Sequence, residues 1–255
     1  MNSTTSINKK RTIKLWAIIF WLLIWQGISM YIGQEILLAS PFSVLSRLSH
    51  LVIQLDFWAS ILSSFGRIVT GFFLATFIGV ILASLAACFR LIEQALEPII
   101  LFIRATPVAS IIILLLIWVS SRQLAIATSF LMVMPITYTN ILTGIKSTDT
   151  KLLEMAEVFK MPMKKRVLYI YISQVLPFFK AACLIGLGLS WKAGVAAEII
   201  GIPRGSIGAH LHQARIFLAT ADLFAWTFVI IVVSTLFERI FMFLLEQTIN
   251  KLERV

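Results

Sequence analysis

Charged side chains within apolar runs are the residues of this chain best placed to do chemistry. Lys192 and Glu198 lie in one such run, and Arg104 lies in another, just before Pro107. A charge at membrane depth is costly, so it normally faces a bundle interior or a water-filled pathway. These four residues are therefore the candidate pathway positions, and Pro107 predicts a bend that either shapes the helix or serves as part of a gate.

Lys192 and Glu198 are expected to have different surroundings. Small residues recur every four positions on the helix face that carries Glu198: Gly186, Ser190 and Gly194. This pattern predicts that Glu198 is turned toward packed protein. Lys192 lies about 120° around the helix, too far to pair with Glu198 directly. Lys192 therefore either meets an acid from another helix or lines a pathway for an anionic substrate.

A basic, polar stretch at 146–180 separates two apolar runs. Its first part, 151–160, has apolar side chains at helical spacing, and Pro162 is predicted to end this helix. A second, basic helix is predicted from about 163 to 176, ending at Pro177. The first helix carries an apolar face: Leu152, Leu153, Ala156, Val158 and Phe159. Such a face requires either a protein partner or packing against the chain's own helices.

The composition predicts an all-α integral membrane protein. Of the 255 residues, 59% are hydrophobic and 13% are charged, which leaves too little polar surface for a water-soluble globule. Crossing a bilayer takes about 20 apolar helical residues. Continuous apolar runs predict about six transmembrane helices: 15–32, 68–89, 99–121, 124–145, 181–201 and 223–245. They are expected to form a single transmembrane domain at 15–250, with the polar stretch at 146–180 as one of its loops.

The formal net charge of +10 follows this predicted topology. Basic residues concentrate in the tail at 1–14, at Arg90, in 146–180 and in the tail at 251–255, which six spans place on one side. The positive-inside rule makes this side cytoplasmic, so both termini are expected there. The charge therefore requires no nucleic-acid partner. The apolar run from Leu15 continues past a weak signal-peptide cleavage pattern, which favours a retained anchor.

Two further features predict packing. The connection at 33–67 contains a helix with apolar residues from Val44 to Leu55, expected to rest at the membrane interface or to dock an extracellular partner. The second span carries small residues at intervals of four: Gly71, Ala75, Gly79, Ala83 and Ala87. This stripe predicts close helix packing, inside the subunit by default rather than against a second copy.

The remaining polar residues indicate no metal or cofactor site. Cys88 and Cys183 lie in predicted spans, so neither a disulfide nor a cysteine-based metal site is expected. His210 and His212 fall in a predicted outside loop at 202–222 and are expected to be exposed to solvent. The chain has no glycine-rich phosphate-binding loop. Any ATP hydrolysis must therefore come from another subunit.

The stretch at 152–177 resembles the EAA loop of ATP-binding-cassette (ABC) importer permeases. Five residues match the motif: Glu154 and Ala156 at its first and third positions, Ile170 and Ile172 as the following apolar pair, and Pro177 as a proline common in one branch. Lys160 replaces the motif glycine, and Ser173 replaces a usual proline. A lysine at a left-handed helix end costs about 1 kcal/mol relative to glycine, unless Pro162 ends the helix instead.

The resemblance extends well beyond this loop. The matching stretches are Ser64–Gly71, Glu97–Pro98, Arg104–Pro107, Val195–Gly201 and Phe224–Ala225. They are similar to the permease branch that serves nitrate, sulfonate, taurine and thiamine-precursor importers. In that branch, two permease copies form the pathway in a prokaryotic plasma membrane. A separate ABC ATPase binds in the cytoplasm, and an extracellular solute-binding protein or lipoprotein delivers the solute.

The resemblance thus implies a permease subunit for a small solute, and not an enzyme. Because this branch imports several anions, it favours the pathway role for Lys192. The residues expected to contact or position the ATPase lie in 151–177, which we name the coupling segment: Glu154, Ala156, Phe159, Lys160, Ile170, Ile172 and Pro177.

Two other classes of protein account less well for these residues. An ion-coupled secondary carrier would use intramembrane acids such as Glu198 or Glu238 and would need no ATPase, but it gives no role to an EAA-type loop. An intramembrane enzyme would need a carboxylate or cysteine clustered with His210 and His212, and the sequence places none beside them.

Overall fold

The computed structural model describes residues 15–252, with side chains through Ile249. The predicted tail at 1–14 and residues 253–255 of the predicted C-terminal tail lie outside the described residues. All regular structure in the described part is helical, which confirms the predicted fold class. The helices are α1 Leu15–Ile32, α2 Pro41–Val52, α3 Leu55–Cys88, α4 Arg90–Ala105, α5 Val108–Trp118, α6 Ser121–Lys146, α7 Thr150–Val158, α8 Met163–Arg166, α9 Ile172–Gly201, α10 Ile207–Ile216 and α11 Thr220–Leu252.

Within residues 15–252, five helical rods are long and apolar enough to cross a membrane: α1, α3, α6, the continuous rod from α8 through α9, and α11. A sixth crossing is broken, because α4 and α5 meet at 109°. Glu93 of α4 pairs with Lys146 at the end of α6. Leu116 of α5 lies beside Gly201, which also contacts Leu124 at the start of α6. The broken pair therefore runs the length of the bundle, antiparallel to α6, and supplies the sixth crossing.

The third predicted span, 99–121, is wrong as a single helix. Pro107 lacks a backbone N–H, and it holds Thr106 in an extended conformation with φ −79° and ψ 131°. The chain consequently turns sharply at the predicted bend. Helix α4 also begins at Arg90, well before the predicted start.

The second predicted span, 68–89, starts too late, because α3 begins at Leu55. Ser60 and Ser64 lower the hydropathy of this first part, but both are fully buried in the bundle. The preceding helix was predicted from Val44 to Leu55 and spans Pro41–Val52. Ser40 caps it by accepting a hydrogen bond from the Ser43 N–H at 3.1 Å.

Pro177 does not end a helix, so the predicted break between 163–176 and 181–201 is wrong. Helix continues from Met163 to Gly201, with Pro177 inside α9. A π-helical turn, Val167–Tyr171, joins α8 to α9, and the Ile172 N–H donates to the Val167 carbonyl. Proline is tolerated within membrane helices, where local adjustments satisfy the freed carbonyl.

Helix α6 packs most extensively against α3 and α9. The small-residue stripe of α3 serves this packing, which confirms the prediction of contacts inside the subunit. A Cβ on Gly71 would come within 2.6 Å of the Ile126 carbonyl oxygen, and one on Gly79 within 2.8 Å of the Thr137 Cβ. The backbones of α3 and α6 therefore approach as closely as side chains permit.

We predict that Gly71→Ala lowers the stability of the purified protein by about 1–3 kcal/mol, because the added methyl meets backbone that cannot yield freely. Gly66→Ala is the matched control on the same helix, since nothing lies within 4 Å of its Cβ position. Unfolding in detergent should separate the two variants. Equal stability of Gly71→Ala and Gly66→Ala would contradict close packing at Gly71.

Candidate functional site

Helix α7 forms the first part of the coupling segment, as predicted for 151–160. Its N-terminus is capped by Asp149, whose carboxylate accepts a hydrogen bond from the Lys151 N–H at 2.9 Å. Pro162 lies beyond α7 and precedes α8. A capped helix of this kind can present a defined surface even though it is short.

Lys160 itself takes the left-handed conformation of the motif glycine, with φ 48°. The Lys160 N–H donates to the Glu157 carbonyl at 2.9 Å, and the Met161 N–H donates to the Ala156 carbonyl at 2.8 Å. These two bonds are the Schellman arrangement that commonly ends helices at glycine. The turn is thus kept with lysine in place of glycine, at a cost of about 1 kcal/mol.

The coupling segment has an inward and an outward face. Ala156 is fully buried and Ile170 is 5% exposed, so the chain itself covers both side chains. Val158 is 79% exposed and Phe159 is 75% exposed. Ala156 therefore holds α7 in place, whereas Val158 and Phe159 are free to meet another molecule.

The other predicted coupling residues lie on the outside of the segment. Glu154, Lys160 and Pro177 are exposed, and Ile172 is 39% exposed. Leu152 and Leu153 of the predicted apolar face are half-buried. The apolar face is consequently divided between contacts inside the chain and a smaller outward surface.

The Glu198 carboxylate accepts three hydrogen bonds inside the bundle. Its Oε2 accepts a hydrogen bond from the Ser64 hydroxyl at 2.6 Å and from the Gly208 N–H at 3.2 Å. Its Oε1 accepts from Arg67 Nη1 at 3.0 Å. The carboxylate is completely buried, which confirms that it faces packed protein. It joins α3, α9 and α10.

The turn between α9 and α10 brings the Gly208 backbone onto Glu198. Ile202 ends α9 in a left-handed conformation, and Ser206 caps α10 by accepting from the Ala209 N–H at 3.0 Å. A Cβ on Gly208 would lie 2.3 Å from the Glu198 Cβ. Only glycine permits this approach, and it lets the carboxylate reach the positive N-terminus of α10.

Sequence reasoning missed the roles of Ser64, Arg67 and Gly208. The first two stood in a stretch that resembled the permease family, but nothing in their spacing indicated that they would meet Glu198. The Ser64 hydroxyl makes two hydrogen bonds. It donates to Glu198, and it accepts from the Ile207 N–H at 2.9 Å. A buried acid in one span could have prompted a search for a basic residue in another span.

The predicted loop at 202–222 is wrong, because it contains helix α10, Ile207–Ile216, and the start of α11 at Thr220. His210 is half-buried, so the expectation of an exposed residue is also wrong. Its ring stacks on Trp226 with centroids 4.5 Å apart, and its Nε2 lies 3.0 Å from the Ser60 hydroxyl. Burial lowers the pKa of His210, although the nearby Asp56 carboxylate raises it. His212 is half-buried as well.

No cluster of three His, Cys, Asp or Glu side chains in the described part of the chain could hold a metal ion. Cys183 is buried and Cys88 is exposed, and both are free thiols.

The structure does not bring the four candidate pathway residues together. Glu198 lies within the bundle, whereas the side chain of Lys192 is exposed and has no hydrogen-bond or ion-pair partner among residues 15–249. Arg104 lies in the last turn of α4, and Pro107 lies at the break before α5. Both are exposed on the isolated chain.

Comparison with known proteins identifies the family. The model of the binding-protein-dependent transport system inner membrane component family matches residues 75–251, more than half of the chain. The chain belongs to this family. It is the permease subunit of an ABC importer, a multi-pass protein of the prokaryotic plasma membrane that works with ATPase and solute-binding partners. ATP hydrolysis takes place in the separate ATPase subunit.

Individual relatives agree with this assignment. The putative aliphatic sulfonates transport permease protein SsuC of Bacillus subtilis (strain 168) is 27% identical over 233 residues, which cover 89% of this chain and 83% of the relative. The nitrate import permease protein NrtB of Synechococcus elongatus (strain ATCC 33912 / PCC 7942 / FACHB-805) is 28% identical over 205 residues, covering 76% and 73%.

One solved structure shares the fold of the permease. It is titled "Crystal structure of an amino acid ABC transporter with histidines", and it superposes with a TM-score of 0.56 at 18% identity. The match covers 81% of this chain and 96% of that chain.

We predict that Glu198→Ala destabilises the permease by about 3–5 kcal/mol, because it leaves Arg67 without its partner in the bundle. Asp222→Ala is the matched control, since it removes the more exposed Arg47–Asp222 pair and should cost no more than about 1 kcal/mol. Both values can be measured by denaturant unfolding in detergent. Equal losses would show that the Glu198 contacts contribute little.

Proposed function

We propose that two copies of this permease form the pathway for a small anionic solute, and that the ATPase drives the pathway by docking on α7. An extracellular solute-binding protein or lipoprotein delivers the solute. The observation that carries the proposal is the outward pair Val158 and Phe159, held on a helix whose two ends are fixed by hydrogen bonds.

The surroundings of this pair favour a protein partner over lipid. Lys151, Lys160 and Lys164 are exposed on the same segment, so it belongs in water rather than in hydrocarbon. Apolar side chains exposed to water are stabilised when a partner covers them. Glu154 is exposed on α7 and is available to a basic residue of that partner.

The charge distribution supports a cytoplasmic location for the coupling segment. Six crossings place the start of α1, the coupling segment and the end of α11 at one end of the bundle. Basic residues concentrate at this end, including the exposed Lys164 and Lys165. The positive-inside rule then directs it toward the cytoplasm, together with both termini.

The position of Lys192 favours two parts of the proposal, the second permease copy and the pathway between the copies. Lys192 lies nine residues before the end of α9 at Gly201, about 13 Å along the helix axis, and its side chain is exposed. An ammonium group at this depth is costly against lipid. A second permease copy, enclosing a water-filled pathway between the two α9 helices, removes that cost.

An anionic solute fits this charge. The two relatives described above carry the names of sulfonate and nitrate transporters, and both of these solutes are anions. Lys192 would attract such a solute within the membrane, and Arg104 near the α4–α5 break would add positive charge. Glu198 cannot serve as an open carrier site for ions, because Arg67, Ser64 and Gly208 already enclose it.

We predict that Phe159→Asp or Val158→Asp reduces the ATPase that co-purifies with the permease by at least about tenfold, because each buries an unpaired charge at the contact. Lys160→Gly is the matched control, since glycine keeps the left-handed turn and should retain the ATPase. Size-exclusion chromatography checks that all variants remain folded. Full ATPase retention by both aspartate variants would remove the docking role of α7.

We also predict that Lys192→Met lowers uptake of the anion by at least about tenfold in reconstituted vesicles, while the ATPase still co-purifies. Lys192→Arg keeps the charge and should retain most of the uptake. Vesicles containing the permease, its ATPase and its binding protein provide the assay. Uptake by Lys192→Met equal to that of the unmodified chain would show that Lys192 neither binds the solute nor supports the pathway.

A further inference from the structure

An apolar groove of about 390 Å³ opens at the same end of the bundle as the coupling segment. Its walls come from α3, α6 and the rod that begins with α8. Its lining residues include Val80, Cys88, Ile145, Met163, Val167 and Tyr171. None of them carries a formal charge at neutral pH.

The groove extends inward from the end of the bundle. Cys88 ends α3 and Ile145 lies in the last turn of α6, so these residues mark its mouth. Val80 lies two turns deeper, about 12 Å along the axis of α3. This depth and the apolar walls match a segment of a lipid acyl chain.

The mouth of the groove is basic. Met163 and Val167 line the groove, and Lys164, Lys165 and Arg166 lie between them in the sequence. At about 100° per residue, Lys164 and Arg166 flank the lining positions, whereas Lys165 lies on the far side of the helix. The Arg166 Nε is buried and has no hydrogen-bond partner in the described part of the chain.

A further basic residue follows Cys88 closely in the sequence, although it does not line the groove. Arg90 is exposed and follows Cys88 by two positions at the start of α4. The nearby acid Glu93 is paired with Lys146, which offsets its negative charge. Basic pockets between helices on the cytoplasmic side of membrane proteins are suited to anionic lipid headgroups.

We propose that this groove binds an anionic phospholipid, with one acyl chain along its apolar walls and the phosphate held by Lys164 and Arg166. The accessible part of the half-buried Arg166 side chain would meet the phosphate, and the groove would lose its contact with water. The ATPase-docking residues Val158 and Phe159 lie on a different helix and do not line the groove. The lipid would brace the π-helical turn at the base of α9.

Cys88 gives a direct measure of occupancy. It lines the groove and is exposed, whereas Cys183, the second cysteine, is buried and should react slowly. The permease and its ATPase are placed together in nanodiscs of phosphatidylcholine, with or without phosphatidylglycerol. The rate of maleimide labelling at Cys88 is then followed, with Cys88→Ala reporting any reaction at Cys183.

Phosphatidylglycerol should slow the labelling of Cys88 in a concentration-dependent way. In Lys164→Gln combined with Arg166→Gln, the lipid concentration needed for protection should rise by about fivefold for each charge removed. Lys165→Gln, on the far side of the helix, should behave as the unmodified chain. This control separates a defined phosphate contact from general attraction to an anionic surface.

Two outcomes would overturn the proposal. Labelling that is equally fast with and without phosphatidylglycerol would show that no anionic lipid occupies the groove. Protection that depends on the ATPase or on a second permease copy, and not on lipid charge, would assign the groove to a protein contact. Neither outcome bears on docking at α7, because co-purification of the ATPase tests that separately.

Discussion

The cost of an unsatisfied charge in a medium without water governs the half of this bundle that lies away from the coupling segment. Glu198 must be buried where α9 packs, and an unpaired carboxylate there would be strongly destabilising. Arg67 and Ser64 from α3 and the Gly208 N–H from α10 satisfy it together. Three helices are thereby fixed at one point, and the position of α10 over the end of α9 follows from it.

Close backbone packing complements this polar junction. Glycines in α3 and α9 let both helices approach α6 closely, so these three helices form one tightly packed block at the centre of the bundle. The coupling segment differs in character. Its short helix α7 is fixed by a cap, a left-handed turn and the buried Ala156, and it leaves Val158 and Phe159 outside. A tightly packed block and an attached helix with a free apolar surface suit a subunit that is moved by a partner.

Sequence could predict the features whose physical cause lies within one short stretch of the chain. Apolar runs indicated the five crossing rods and the broken α4–α5 pair, small residues at intervals of four indicated α3 packing, and Pro107 indicated a break. Sequence could not indicate that Pro177 lies inside a continuous rod, because the helices of membrane proteins tolerate an internal proline that would end a helix elsewhere. The contacts of Glu198 also depend on residues more than a hundred positions away, which only the fold brings together.

Site-directed cross-linking is the sharpest test of the proposal that a separate ATPase moves this permease through α7. A cysteine at position 159, in a chain with Cys88→Ala, is cross-linked in the purified permease–ATPase complex with a short bifunctional reagent. A cysteine at position 118, at the other end of the bundle, is the control. Docking of the ATPase on α7 predicts a permease–ATPase product from position 159 and none from position 118. Equal cross-linking from the two positions, or none from position 159 in an intact complex, would contradict it.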